Sequence, residues 1–353
     1  MTEKIIDGIK YRLDEENLTA EVIQKRGYKG DINIHETVVF KDLTYRVMSI
    51  GESAFSYCKS LTSIVIPDSV TSIGECAFSW CSSLNKITIP NSVTSIGKRA
   101  FESCQKLTSI IIPNNVKSIE DMVFSWCYAL TEIVIPNSVM NIGYEAFECC
   151  FALTEIELPD SVEAIGKCAF AGCKSLKSIV IPNNVTSIRE KAFEDCKSLE
   201  SITIPSCIES IENMAFSGCS SLTSIVIPES VTSIGWRVFE DCSSLNNIAI
   251  PNGVTSIKEW GFAGCKSLTS ITIPNSITSI GKKAFRYCES LEAITIPDSV
   301  MSIGEDAFSD CESLTSITFQ GTIAQWKTII LHEDWNNYTP AKVVHCTDGD
   351  VEI

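Results

Sequence analysis

The sequence predicts an α/β repeat solenoid, in which short parallel strands and short helical turns alternate along a stack of 23-residue coils. The first observation is that phenylalanine recurs twelve times at intervals of 23 residues, from Phe55 to Phe308. The second is that a cysteine follows each phenylalanine by three positions and a leucine follows each cysteine by three more. The third is that no insertion or deletion disturbs this register. The repeating unit is therefore LxxIxIPxxVxxIGxxAFxxCxx.

The first half of the unit predicts two extended segments. In the four residues before Pro67, alternate residues are apolar and β-branched, which suits a short strand with Ile64 and Ile66 facing inward. Pro67 has no N–H to donate and ends the strand, and the two residues after it favour a turn. Val70 and Ile73 then face inward along a second short extended stretch.

The second half of the unit predicts a corner and a helical turn. Gly74 permits a tight corner, and Ala77, Phe78 and Cys81 fall at helical spacings that favour a short helix or 3₁₀ turn. One coil buries too little apolar surface to offset the conformational entropy that it loses, so the coils must stack. We therefore expect a right-handed superhelix with parallel strands.

The residues outside the array predict a cap at each end, because the terminal coils would otherwise expose an apolar layer and an open strand edge. Residues 1–49 alternate as hairpin strands, over residues 8–13 and 18–23, and predict an N-terminal β-hairpin cap. The twelve coils then occupy residues 50–319.

Residues 320–353 predict a C-terminal cap that combines a helix and a strand. Thr322 is the predicted helix N-cap. Three apolar residues at helical spacing form one face of this helix: Ile323, Trp326 and Ile330. Val343 and Val344 then predict a final strand.

The charge and hydropathy of the chain exclude several function classes. The formal net charge of −16 argues against nucleic acid or an anionic membrane as the main partner, since both are polyanions. No apolar run reaches the roughly 20 residues that a membrane helix needs. The first residues contain no continuous apolar stretch typical of a signal peptide. This predicts either a protein that is not exported or one whose leader is absent from the chain.

The twelve in-register cysteines permit three interpretations. A zinc site is excluded because no CxxC or Cys/His cluster occurs. Disulfides are compatible with the distance between stacked positions, but equivalent side chains point the same way, which favours reduced thiols packed in the core. Five further cysteines are expected to be exposed or to lie in the caps: Cys76, Cys149, Cys168, Cys207 and Cys346. Free exposed thiols favour a reducing setting.

Residues suited to catalysis are scarce. The three histidines, His35, His332 and His345, all lie in the predicted caps and show no spacing typical of a triad or a metal site. No GxSxG, HExxH or phosphate-binding loop occurs, and the recurring glycines mark corners of the coil. We therefore predict a protein that is not an enzyme and that needs no cofactor or metal.

The repeating unit resembles the BspA-like, or Treponema pallidum-type, leucine-rich repeat, which also has Cys or Asn after AFxx and Pro after the strand. The resemblance covers about residues 50–319, and the flanking segments also resemble those of the family. It implies a leucine-rich-repeat fold and a bacterial, surface-exposed or secreted protein that binds host matrix, host cells or other microbes. No ligand-binding motif is shared across the family, so the resemblance names no site residues.

Departures from the repeat mark the candidate binding residues. Trp80 and Trp126 stand two residues after a phenylalanine, where small or polar residues are common. Tyr128 and Phe151 occupy equivalent positions in adjacent coils and should stack, so that together with Trp126 and Cys149 they form one apolar patch. A second pair, Trp236 and Trp260, precedes the phenylalanine in adjacent coils. The alternative interpretation is that all these rings are local packing on the surface of the coils.

The outward face of the strands offers a second kind of candidate. Glu132, Glu155 and Glu157 project from neighbouring strands where other coils carry Ser, Thr or Val, and they are suited to a basic partner or a calcium ion. The alternative is a solvated acidic face. Elsewhere this face is a flat ladder of Ser and Thr that suits a broad contact with a protein or a glycan.

These observations favour a binding or adhesion module that recognises a protein or glycan, such as host matrix or a cell surface, through one face of the array. The alternatives are an intracellular scaffold or effector that binds a cytosolic protein, and a purely structural spacer. We predict neither nucleic-acid binding nor membrane insertion.

Overall fold

The computed structural model describes all 353 residues and divides them into two compact units, Met1–Leu176 and Lys177–Ile353. Each unit is built from coils of about 23 residues and has the leucine-rich-repeat fold. Coils are numbered here from Ile50, so that coil 4 is residues 119–141 and coil 5 is residues 142–164. The two units are described separately.

The first unit begins with six strands: β1 (Thr2–Ile6), β2 (Ile9–Asp14), β3 (Thr19–Val22), β4 (Lys29–Asn33), β5 (Thr37–Phe40) and β6 (Leu43–Ile50). Strands β2 and β3 form the antiparallel hairpin that the sequence predicts, and β1 adds a further antiparallel strand that it does not. Strand β5 pairs antiparallel with β6. Strands β3 and β4 run parallel to later strands and so begin the solenoid.

Each coil contributes two strands at most. The longer ones, directly before the proline position, are β7 (Ser60–Val65), β9 (Lys86–Thr88), β11 (Ser109–Ile111), β13 (Glu132–Val134), β16 (Ser178–Val180), β18 (Ser201–Thr203), β21 (Asn247–Ala249), β23 (Ser270–Thr272), β25 (Ala293–Ile296), β27 (Ser316–Phe319) and β29 (Val343–Cys346). The shorter ones are β8 (Ser72–Ile73), β10 (Ser95–Ile96), β12 (Ser118–Ile119), β14 (Asn141–Ile142), β15 (Ala164–Ile165), β17 (Ser187–Ile188), β19 (Ser210–Ile211), β20 (Ser233–Ile234), β22 (Ser256–Ile257), β24 (Ser279–Ile280), β26 (Ser302–Ile303) and β28 (Ile330–Leu331). Strand β30 (Gly349–Glu352) closes the chain antiparallel to β29.

The chain makes about 14 turns, two more than the twelve phenylalanines predict. The first additional turn carries β3 and β4, which pair in parallel with β6 and β7. The last carries β28 and β29, which pair in parallel with β26 and β27. Each of these turns replaces the phenylalanine with another ring. Tyr28 contacts Phe55 at 4.7 Å between ring centroids, and Trp335 meets Phe308 edge-on at 6.0 Å.

The segment around each phenylalanine is not the helical turn that the spacing predicts, and helix is nearly absent from the structure. In coil 2, Cys76 and Trp80 both have left-handed backbone angles, with φ of 53° and 62°, which a right-handed helix cannot contain. The N–H groups of Cys76, Phe78 and Trp80 donate to carbonyls of the next coil, while the alternate residues donate three positions back. The segment is therefore a run of tight turns that hydrogen-bonds one coil to the next.

The core of each unit is a column of stacked phenylalanine rings. In the first unit the column runs from Phe55 to Phe170 with centroids 5.2–5.6 Å apart, and in the second from Phe193 to Phe308 with centroids 5.2–5.7 Å apart. Ile64 and Ile66 are buried, as the strand pattern predicts. The strand itself ends before Pro67.

The cysteine ladder is reduced and buried, which confirms the packing interpretation. Its thiols also donate to backbone carbonyls of the preceding coil: the Sγ of Cys127 lies 3.1 Å from the carbonyl oxygen of Phe101. Burial raises the pKa of the Cys127 thiol to about 12. Four of the five cysteines outside the ladder are partly exposed, as expected, but Cys168 is buried, so that expectation was wrong for Cys168.

The C-terminal helix is shorter than the apolar spacing predicts. Thr322 is its N-cap, with a reciprocal bond to Gln325, but the helix α1 spans only Ile323–Trp326. Ile330 instead lies in β28 and is 62% exposed, because the chain turns away after Trp326. The predicted strand at residues 343–344 is present as part of β29. No helix of the structure has the length and apolar character that crossing a bilayer requires.

Candidate functional site

The predicted stack of Tyr128 and Phe151 is present on the turn side of coils 4 and 5, which is the side that carries the tight turns around each phenylalanine. The two ring centroids lie 4.8 Å apart and the ring planes differ by 5°. The ammonium group of Lys174 lies 4.3 Å from the Phe151 centroid and covers that ring from the next coil. Both faces of Phe151 are therefore occupied, while both aromatic side chains keep part of their surface exposed to solvent.

Trp126 extends this stack within coil 4, with its ring 6.4 Å from Tyr128 and tilted by 21°. Its indole Nε1 donates to Oε2 of Glu148 at 3.2 Å, and its side chain is 41% exposed. Trp126, Tyr128 and Phe151 are called the aromatic cluster below. Cys149, the fourth member of the predicted patch, is half-buried in coil 5.

Trp80 lies outside this cluster. Its ring stacks on Tyr57 in the preceding coil, with centroids 5.9 Å apart and planes within 4°. The equivalent position of the coil between Trp80 and Trp126 is Ser103, which is fully buried and has a hydroxyl without a hydrogen-bond partner. The two tryptophans are therefore separated by one coil and do not form a continuous stack.

Trp236 and Trp260, in the second unit, are joined by a cation. The guanidinium of Arg237 lies 5.6 Å from the Trp236 ring and 4.7 Å from the Trp260 ring. The ammonium of Lys283 lies 4.6 Å from the Trp260 ring, so this residue contacts a cation from each neighbouring coil. These contacts leave Trp260 less of its ring free for a ligand than the sequence suggests.

Glu132, Glu155 and Glu157 line one groove on the strand face of coils 4 and 5. The groove has a volume of about 470 Å³ and is bounded by residues 131–135 and 155–157. All three glutamates are exposed, and none forms an ion pair. The structure therefore brings together the three carboxylates that the sequence singled out.

The groove exists because the strand ladder is interrupted at this point. Strand β13 pairs with β11, but no backbone hydrogen bond joins β13 to residues 155–157, and coil 5 has no strand in this position. A similar interruption separates β9 from β11 and opens a neighbouring groove of about 310 Å³ beside Lys86. Sequence reasoning missed both grooves, because the residues of coil 5 repeat the same strand pattern as those of other coils.

Calcium is not supported as the ligand of the three glutamates. No group of three or more His, Cys, Asp or Glu side chains in the structure is arranged to hold a metal ion. Calcium needs six to eight oxygen ligands at 2.3–2.6 Å, which carboxylates spread along an open groove do not supply. The structure therefore gives no support to a calcium site in this groove.

The distribution of charge along the sequence singles out the same two coils. Residues 118–166 contain no Lys, Arg or His and nine carboxylates: Glu120, Asp121, Glu132, Glu145, Glu148, Glu155, Glu157, Asp160 and Glu163. Among these, Asp121 is paired with Lys98 of coil 3 at 2.7 Å, and the hydrogen bond from Lys98 lowers the pKa of Asp121. A field of one sign over two adjacent coils attracts ligands of the opposite sign.

Family comparison agrees with the repeat pattern. The family model for the BspA type leucine-rich repeat region matches the chain in six copies, over residues 48–164, 141–268 and 234–333. The chain belongs to the BspA-type leucine-rich repeat family. No curated protein sequence matches the chain.

Solved structures of bacterial proteins show the same fold. A leucine-rich repeat protein from Bacteroides ovatus is 35% identical, with 93% of this chain and 89% of that chain covered and a TM-score of 0.78. A leucine rich cell surface protein from Faecalibacterium prausnitzii is 33% identical, with coverage of 94% and 98% and a TM-score of 0.60. The pneumococcal vaccine antigen PcpA, at 20% identity, coverage of 96% and 98% and a TM-score of 0.56, shares the fold.

Proposed function

We propose that this BspA-type protein is a non-enzymatic recognition module that binds a protein ligand through the exposed surface of coils 4 and 5. The observation that carries the proposal is the coincidence of two departures from the repeat in these coils. The aromatic cluster lies on their turn side, and residues 118–166 contain nine carboxylates and no Lys, Arg or His.

The aromatic cluster supports recognition because exposed aromatic side chains supply much of the binding energy of protein interfaces. Trp126 is held by its bond to Glu148 and by contact with Tyr128, so it loses little conformational freedom when a ligand binds. Most other outward positions in the array are Ser, Thr, Asn, Lys or Glu, which are depleted or neutral at binding sites.

Adhesion outside the cell is the setting that the comparisons support best. The Faecalibacterium protein is named a cell surface protein, and we propose the same location for this chain. The ligand would then be a protein or glycan of the host matrix or of another cell surface. Residues 50–319 are the recognition array in this proposal, and residues 1–49 and 320–353 cover its ends.

A second candidate function is an intracellular scaffold or effector, which one observation favours. None of the 17 cysteines forms a disulfide, and Cys76, Cys207 and Cys346 are partly exposed. Free thiols at the surface persist more readily in a reducing compartment. The same surface of coils 4 and 5 would then bind a cytosolic protein.

A binding screen with matched variants tests the proposal. The immobilised chain is screened against matrix proteins, glycan arrays and cell lysate, alongside W126S/Y128S/F151S and, as a control in the second unit, Trp236→Ser. We expect a protein ligand that the wild type and the control retain and that binds the triple variant at least tenfold more weakly. Absence of any ligand, or equal binding by all three proteins, would overturn the proposal.

A further inference from the structure

We infer that the groove on the strand face of coils 4 and 5 holds an extended segment of a partner protein that alternates lysine or arginine with apolar residues. This inference rests on the proposed function and names the chemistry of the partner. It concerns the strand face, whereas the aromatic cluster lies on the turn side of the same coils.

The shape of the surface favours an extended occupant. The two grooves, beside β9 and beside β13, lie on the same face and are separated only by the paired strands β11 and β13. A ligand that crosses both must span several coils, and neighbouring strands are about 4.8 Å apart. An extended chain advances about 3.3 Å per residue, so roughly six residues cover four coils.

The charge of the surface favours lysine and arginine. Glu132, Glu155 and Glu157 form no ion pair, and no cationic residue occurs between Lys117 and Lys167. Lys86 lines the neighbouring groove two coils away, so the cationic residues of the ligand belong at the end formed by coils 4 and 5. A cationic side chain in the groove would donate hydrogen bonds to carboxylates that have no other partner. An anionic or neutral ligand would leave the three carboxylates facing one another without compensation.

The apolar residues beside the groove favour the alternation. Ile111 and Val134 are partners in the register of β11 and β13, and they are 68% and 47% exposed on the same outward face. Six of the twelve coils carry an apolar residue at this position, but only Ile111 and Val134 place large apolar residues there in two neighbouring coils. An extended peptide presents alternate side chains to opposite sides, so one set would contact this apolar pair while the flexible cationic side chains reach the carboxylates at its edge.

Fluorescence anisotropy with a synthetic probe tests this inference. The probe is a labelled twelve-residue peptide of alternating Lys and Val, and its counterpart carries Glu in place of Lys. The site variant is E132Q/E155Q/E157Q. The matched control is E200Q/E209Q/E292Q, which removes the same three charges from exposed positions of the second unit.

We expect the Kd of the Lys peptide for the matched control to lie within twofold of its Kd for the wild type. Its Kd for the site variant should be at least tenfold higher. Raising NaCl from 50 to 300 mM should weaken binding to the wild type, and the Glu peptide should not bind. Equal binding by the two variants would overturn the inference, because net charge alone would then explain it. Displacement of the peptide by 1 mM Ca²⁺, or self-association of the chain that blocks it, would also overturn it.

The outcome separates this inference from the proposed function. A chain that retains its aromatic-dependent ligand but shows no preference between the two glutamate variants keeps the function and loses this partner assignment. Thermal unfolding of both variants within a few degrees of the wild type excludes misfolding as the cause of lost binding.

Discussion

Tyr128 and Phe151 stack face to face across coils 4 and 5, with ring centroids 4.8 Å apart, and they are partly exposed, unlike the buried phenylalanine column beside them. A double-mutant cycle with Tyr128→Leu and Phe151→Leu should give a coupling energy of about 0.5–1.5 kcal/mol in denaturant unfolding. The same cycle between Tyr57 and Phe151, which do not touch, should give a value near zero. A coupling below 0.3 kcal/mol for the stacked pair would mean that the rings do not stack in solution.

Ser103 is a local defect in the core, because its fully buried hydroxyl has no hydrogen-bond partner. Ser103→Ala removes this group at almost no loss of packing and should raise the free energy of unfolding by about 1 kcal/mol. The control is Ser125→Ala, which removes a buried hydroxyl that does donate, to Oε2 of Glu148 at 3.2 Å. That variant should lose about 0.5–1.5 kcal/mol. Equal effects of the two substitutions would show that Ser103 has a partner in solution.

The cysteine ladder predicts a loss of stability in alkali. Burial raises the pKa of ladder thiols such as Cys104 and Cys127 above the ordinary value of 9.0, so the native state keeps protons that the unfolded chain releases. The contribution of each thiol to stability is complete below pH 9 and is lost as pH rises toward the folded-state pKa. Between pH 10 and 11, each such thiol should steepen the fall of the unfolding free energy by about 1.4 kcal/mol per pH unit.

Equilibrium unfolding from pH 7 to 11 measures this slope. Cys127→Ala should reduce it by about one thiol's share, roughly 1.4 kcal/mol per pH unit. Val123→Ala, a truncation at another buried position, should lower stability and leave the slope unchanged. A flat profile up to pH 11 in the wild type would contradict the burial of protonated thiols.

Trp335 closes the phenylalanine column of the second unit. It is buried, meets Phe308 edge-on, and its carbonyl accepts the Phe308 N–H at 2.7 Å. Trp335→Ala should destabilise the last turn by about 3–5 kcal/mol, whereas Trp335→Phe should keep most of that stability. Hydrogen exchange at the Phe308 amide reports the change. Unchanged protection in the alanine variant would show that Trp335 does not close the column.

Much of the fold follows from the sequence because each coil repeats the same instructions. Period, inward isoleucines, strand ends at proline and the buried reduced cysteines are all confirmed. The helical turn was wrong because spacing alone does not distinguish a helix from turns whose alternate N–H groups bond the next coil. The left-handed position of Trp80 does have a signature, because glycine occupies it in three other coils with positive φ (Gly172, Gly218 and Gly264), but the helical spacing of the apolar residues conceals it. The right-handed sense of winding stays a prediction.

The candidate site was predictable only in part. The stacking of Tyr128 on Phe151 and the juxtaposition of the three glutamates follow from register, because equivalent positions of adjacent coils are neighbours. The absence of cationic residues from 118 to 166 is also visible in the sequence as a count. The interruption of the strand ladder beside β13 is not visible in the sequence, because residues 155–157 have the same strand pattern as their neighbours. The contact of Trp260 with two cations depends on side-chain directions that register alone does not determine.

The most direct test of the recognition surface compares two equivalent positions of the repeat. A photoreactive benzoylphenylalanine replaces Val134 in coil 4 or Val226 in the second unit, which both lie exposed in the middle of the strand position. Both proteins are irradiated with the same matrix and cell extracts, and the cross-linked partners are quantified by mass spectrometry. We predict that a partner is captured at position 134 at least tenfold more than at position 226, and that this capture is lost when Glu132, Glu155 and Glu157 become glutamine. Equal capture at the two positions, or capture only at 226, would contradict it.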